Sequence, residues 1–118
     1  IMQSTSIFLA TTLTGIFFIL AGVWILIFPP KKINSLYGYR TNKSMKSQSS
    51  WDFAQRFSCR EIIKWGIILF ICSSVGLQYD LGKLETVIGV SMLVVVTVVF
   101  LLRTEQAIKK YNLQAKIA

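Results

Sequence analysis

At 118 residues the chain is one domain at most, and its 53% hydrophobic content is more apolar than a soluble domain of this size usually carries. The formal charge is +8 from 13 basic and 5 acidic residues, with no histidine and two cysteines, so neither a zinc site nor a disulfide framework has the ligands it needs. These numbers exclude a soluble metalloenzyme and a secreted cystine scaffold, and they point to a bilayer as the solvent.

No charged residue precedes Lys31. About 20 helical residues cross a hydrocarbon core of about 30 Å, so this run alone is long enough, and a first membrane span is expected over about 6–28. A cleaved leader is a poor reading, because no basic segment precedes the run and no small-x-small site closes it. Gly15 and Gly22 stand one heptad apart, and with Thr11, Thr12 and Thr14 they suit close helix packing. Trp24 is placed as an interfacial anchor, and Pro29 and Pro30 stop the helix.

From Lys31 to Ser50 the chain is too polar to span a bilayer. Asn34, Gly38, Asn42 and the serines 47, 49 and 50 signal turns. Tyr37, Tyr39 and Met45 are poorly suited to free solvent, so the segment is expected to fold back on the membrane or the bundle. A helix should start with Ser49 or Ser50 as N-cap. Asp52, Arg56, Arg60 and Lys64 then recur every fourth residue, forming one charged stripe with an Asp52–Arg56 pair. The opposite face carries Trp51, Ala54, Ser58, Ile62 and Trp65, while Phe53 and Phe57 flank it. The helix should run into a second span over about 62–79. Cys59 and Cys72 are read as free thiols.

A third span is expected over about 86–102. Its valines would suit a strand in water, but 17 uncharged residues far exceed a common strand, and a backbone in lipid must satisfy itself. The tail should continue as helix, with Glu105 paired to Lys109 and one face lined by Ile108, Tyr111 and Ala115. Eight cations lie between spans one and two and four follow span three, whereas the short outer connection carries only Lys83, beside Asp80 and Glu85. Loops rich in Lys and Arg stay in the cytoplasm. The expected fold is therefore an all-α integral membrane bundle of three transmembrane helices in a single domain, 1–118, N-out and C-in. A cytoplasmic loop over about 29–61 and an interfacial helix precede the second span. Lys31, Lys32, Arg56, Arg60, Lys64, Arg103, Lys109 and Lys110 are expected at anionic lipid headgroups, worth about 1 kcal/mol each. No nucleic-acid motif accompanies the charge.

The five acids form no dyad by spacing, and no nucleophile has a histidine base, so catalysis is not expected. A Tyr37, Tyr39, Arg40 and Asp52 cluster remains as a formal enzyme alternative. The spans hold no acid and no histidine, which argues against a proton-coupled pump. A small transporter, or an oligomeric pore lined by Thr11, Ser73 and Ser91, stays open as the alternative to a binding protein. Neither a cofactor nor a metal is implied.

The stretch from Phe28 to Gln55 carries a pattern of Pro29 and Pro30 at the end of a span, then Asn34, Gly38, Arg40, Thr41, Ser44 and Trp51. It resembles the signature of the SdpI-type immunity protein family of Gram-positive bacteria. The resemblance implies a multipass plasma-membrane protein that protects a cell from a secreted toxic peptide by binding. It also implies a possible cytoplasmic transcriptional repressor as partner, docked at residues 31–57. Asn34, Tyr37, Gly38, Tyr39, Arg40, Thr41, Ser44, Trp51 and Asp52 are accordingly the candidates for partner binding or for bracing the loop. Membrane lipids and a second copy of the chain complete the expected partners.

Overall fold

The computed structural model describes residues 2–79 and 81–117, with side chains from residue 7 to residue 116. Asp80, counted above in the outer turn, lies outside the described residues, as do Ile1 and Ala118. Three helices follow one another: α1, Met2–Ile27; α2, Gln48–Gly76; and α3, Leu84–Ile117. No strand occurs among the described residues.

Helix α1 makes its last backbone bond from Phe28 N to Trp24 O at 2.8 Å, and Pro29 and Pro30 then deny the ladder its donors. Backbone contact joins α1 to α2. A Cβ on Gly15 would lie 2.9 Å from Gly66 O and from Phe70 N, and one on Gly22 would lie 2.8 Å from Cys59 O. Only hydrogen side chains allow that approach, which is how small residues hold helices together in lipid.

The N-cap of α2 lies two residues earlier than Ser49. Ser47 is extended and caps the helix, accepting from Ser50 N at 3.1 Å. Three serines in four residues all offer cap chemistry; the one used is the one whose neighbour, Gln48, reaches Lys31 O (2.6 Å) and Asp52 Oδ1 (2.9 Å). The helix ends at Gly76, three residues short of the expected 79, and Leu77–Tyr79 form turns on carbonyls of its last residues.

Gly82, at φ +65°, turns the chain into α3, where Glu85 Oε1 accepts from Leu81 N at 3.0 Å. At about 1.5 Å per residue, 34 residues reach about 51 Å, close to the molecule's 56 Å long axis. So α3 runs past any hydrocarbon core, and its last turns lie beside the loop between α1 and α2.

Two helical segments, Ile7–Ile27 and Leu84–Lys116, are long and apolar enough to cross a membrane. Only 22% and 17% of their most apolar windows are buried, whereas the core helix of a soluble protein would be mostly covered. Leu13, Phe17, Leu20, Val87, Val95 and Leu102 are among the large side chains left facing outward. That much exposed hydrocarbon fits a lipid surround. Helix α2 instead joins a charged half, 48–64, to a shorter apolar half.

Candidate functional site

The loop between α1 and α2 is held at nearly every signature position. Asn34 Oδ1 accepts from Leu36 N (2.9 Å) and Tyr37 N (2.8 Å), while its amide donates to Lys32 O (2.9 Å), forming a self-contained Asx turn. Tyr37 donates its hydroxyl to Phe28 O, at the end of α1. Gly38 has φ +104°, and a Cβ there would lie 2.7 Å from Gln55 Oε1 and 2.8 Å from Pro30 Cγ. Glycine is required both by the dihedral and by the crowding.

Past Gly38, Gln55 treats Tyr39 as a neighbouring strand would. Its Oε1 accepts from Tyr39 N and its Nε2 donates to Tyr39 O, each at 2.8 Å. Burial alternates along this stretch. Tyr39 and Thr41 point inward and both donate to Glu105 Oε2 on α3, at 2.8 and 2.9 Å. Arg40, between them, is exposed. Ser44 is fully buried; its hydroxyl accepts from Thr41 N (2.8 Å) and lies 3.0 Å from Thr41 O, while its own amide donates to Thr41 Oγ1 (3.2 Å). Trp51 is also fully buried and donates from Nε1 to Pro30 O at 2.6 Å. Asn112 closes the far end, donating to Lys43 O (3.3 Å) and accepting from Ser50 Oγ.

The loop thus ties the end of α1, the start of α2 and the C-terminal half of α3 into one latch. Burial, and then the bond and negative charge of Glu105, push the Tyr39 phenol well above its ordinary value. Tyr39 also meets Phe100 edge-on, at 6.0 Å between ring centroids.

Two expected pairings are replaced. Asp52 forms an ion pair with neither Arg56 nor Arg40; among the described residues its carboxylate accepts from Gln48. Glu105 does not pair with Lys109, because two loop hydroxyls already occupy one of its oxygens. The formal cluster of Tyr37, Tyr39, Arg40 and Asp52 is not assembled, since each turns to a different partner or to solvent. Phe53 does lie against the tail, stacked on Tyr111 with centroids 4.4 Å apart, and Ile108 is fully buried.

Of the eight cations assigned to headgroups, Arg103 and Lys64 share Glu61. Arg103 Nε lies 2.7 Å from Glu61 Oε1, and Lys64 Nζ lies 3.6 Å from Oε2. Glu61 is 8% exposed and also accepts from Trp65 Nε1 at 3.3 Å. Burial raises its pKa, but the Arg103 and Trp65 bonds and the nearby cations outweigh that and hold the carboxyl below its usual value. Lys31, Lys32, Arg56, Arg60, Lys109 and Lys110 are exposed. Sequence reasoning missed Gln55, Glu61, Glu105 and Asn112 as members of this network. Only the Glu61–Lys64 spacing could have flagged one of them. Thr11 and Ser73, considered above as pore lining, are buried in the α1–α2 seam and bond to each other at 2.7 Å.

The SdpI/YfhL protein family matches residues 31–103, which take in the loop, α2 and the apolar run of α3. The uncharacterized protein YfhL of Bacillus subtilis (strain 168) is 36% identical over 91 residues, covering 77% of this chain and 78% of that protein. No solved structure matches.

Proposed function

Because the chain belongs to the SdpI/YfhL protein family, we propose that it is a multipass immunity protein of a Gram-positive plasma membrane. It protects the cell from a secreted toxic peptide by binding and carries out no catalysis. The family match over residues 31–103 carries this reading. All three helices cross the bilayer, N-out and C-in, with the latch inside and the 77–83 turn outside. The toxin is met at that turn or within the bilayer.

The signature residues serve to brace the bundle. A cytoplasmic repressor would therefore contact what the latch leaves outward: Leu36, at 90% exposure, with Arg40 and Met45. Arg40→Ala then weakens docking more than Lys43→Ala, since a guanidinium offers a fixed fork of donors.

Challenge of cells with and without the expressed chain by a panel of secreted family-type toxic peptides tests the function: survival against one of them is expected, and unchanged killing curves throughout would end the reading. Membrane-impermeant thiol labelling of Met45→Cys and Lys83→Cys, each in a background lacking Cys59 and Cys72, tests the orientation. Lys83 is used in place of its neighbour Gly82, whose left-handed conformation cysteine would strain. Labelling of position 45 from outside intact cells would overturn the topology.

A further inference from the structure

A cavity of about 490 Å³ opens where α1 ends against the charged half of α2. Its apolar side is Ile25, Leu26 and Pro29, at the end of the apolar run that precedes the basic loop. Its polar side is Lys31, Arg56 and Arg60, with Asp52 beside them. The three cations are exposed and form no ion pair among the described residues, so their charge is unspent. Arg56 and Arg60 stand one turn apart on α2 and present two guanidinium forks along the same face. That spacing suits the oxygens of one phosphate, which guanidinium groups bind in bidentate fashion. The size falls in the range of small-ligand sites.

From these features the geometry points to a binding site for one anionic glycerophospholipid, its phosphate on Arg56 and Arg60 and its acyl chains leaving along Ile25 and Leu26. A free phosphate would use the arginines but would leave the apolar side uncovered. Asp52 narrows the headgroup further. Its carboxylate would repel a bare phosphate monoester, yet it accepts from a headgroup hydroxyl, which phosphatidylglycerol carries and phosphatidate lacks. The site differs from general surface attraction, because Arg56 and Arg60 share it with an apolar wall, whereas Lys109 and Lys110 offer equal charge on α3 and take no part in this cavity. This inference rests on the reading of α1 as a membrane span.

The test is native mass spectrometry of the full chain in detergent, titrated with phosphatidylglycerol, phosphatidate and phosphatidylcholine. One phosphatidylglycerol per chain should be retained at least tenfold more tightly than phosphatidylcholine, and more tightly than phosphatidate. Arg56→Gln with Arg60→Gln should abolish that preference, while Lys109→Gln with Lys110→Gln should keep it. Leu26→Trp, which narrows the apolar side and keeps both arginines, should weaken phosphatidylglycerol binding; it guards against misfolding of the arginine variant, and circular dichroism checks both. Equal loss in the Lys109 and Lys110 variant would mean bulk charge and would overturn the site. Displacement of the lipid by millimolar glycerol 3-phosphate would overturn it in favour of a free anion. A chain that is monodisperse without detergent would instead end the membrane reading, whereas a detergent-requiring chain that does not distinguish the lipids ends only this site.

Discussion

Glu105 makes two of the three hydrogen bonds that bind residues 39–46 to α3, the third being from Asn112 to Lys43 O, so its removal should raise the population in which that segment is released while leaving the helices formed. One carboxylate oxygen accepts from Tyr39 at 2.8 Å and from Thr41 at 2.9 Å. Hydrogen bonds to a charged group contribute about 1.5–3 kcal/mol each, and the partly exposed position argues for the lower end, giving about 3 kcal/mol for the two. Glu105→Leu loses both. Glu105→Gln keeps an acceptor oxygen but makes the bonds neutral, at about 1 kcal/mol each, for a net loss of about 1 kcal/mol. Since 1.4 kcal/mol is a factor of ten, the open population should rise roughly 150-fold in the first variant and about fivefold in the second. Trypsin reads this directly, because Arg40 lies in the released segment and cleavage tracks the open population when closing is faster than cutting. Cleavage after Arg40 should accelerate by those factors, while cleavage after Lys83, in the turn at the opposite end of the bundle, stays constant. A Glu105→Leu rate within twofold of the parent would refute the latch. Equal acceleration at Lys83 would show general loosening instead.

Gly38→Ala should release the same loop by another route, since a left-handed dihedral costs about 1–3 kcal/mol in a non-glycine residue and the new Cβ would meet Gln55 and Pro30; tryptic release of residues 33–40 in this variant measures it. Gly15→Leu should separate α1 from α2, because its side chain would enter the backbone of Gly66 and Phe70; a lower thermal midpoint in detergent with helix content kept at low temperature is expected, and an unchanged midpoint would refute the crossing. The Tyr39 phenol, raised in the folded state, contributes stability that is fully present below the unfolded value of about 10 and is lost as pH rises toward the folded value. Absorbance at 295 nm should show one of the four tyrosines ionising last, and Glu105→Gln should bring that titration down, though not to its ordinary value, because burial is the largest cause.

The helices were legible because the apolar runs are written as uninterrupted hydrocarbon, and the proline pair ends the first of them. The inward stripe of α2 was legible for the same kind of reason: Trp51, Ala54 and Ser58 share a face by spacing alone, and all three are buried. Pairings across the chain were not legible. Tyr39 and Glu105 are 66 positions apart, and nothing local to Glu105 distinguishes it from a solvated partner for Lys109. Local i,i+4 rules assign each acid to its nearest base, which is sound for an isolated helix and worth only a few tenths of a kcal/mol. Once a loop places two hydroxyls against the carboxylate, charge-assisted bonds outweigh that preference. The same competition gave Asp52 to Gln48 and brought Arg103 to Glu61 across the α2–α3 seam.

This pattern bears on what the signature stretch is for. Asn34, Tyr37, Gly38, Thr41, Ser44 and Trp51 each have a partner or a steric constraint within the chain, and none presents a fully free polar group to solvent. Releasing any of them to grip a ligand would leave a backbone carbonyl or amide without its partner, at about 1–3 kcal/mol for each buried group. A ligand would have to return that cost before gaining affinity. Arg40 carries no such cost, being exposed within an otherwise committed segment, and neither do Lys31, Arg56 and Arg60 around the cavity at the end of α1. Recognition at the basic end of the bundle therefore falls to the residues the latch orients and leaves unbonded, with the buried signature fixing where they stand.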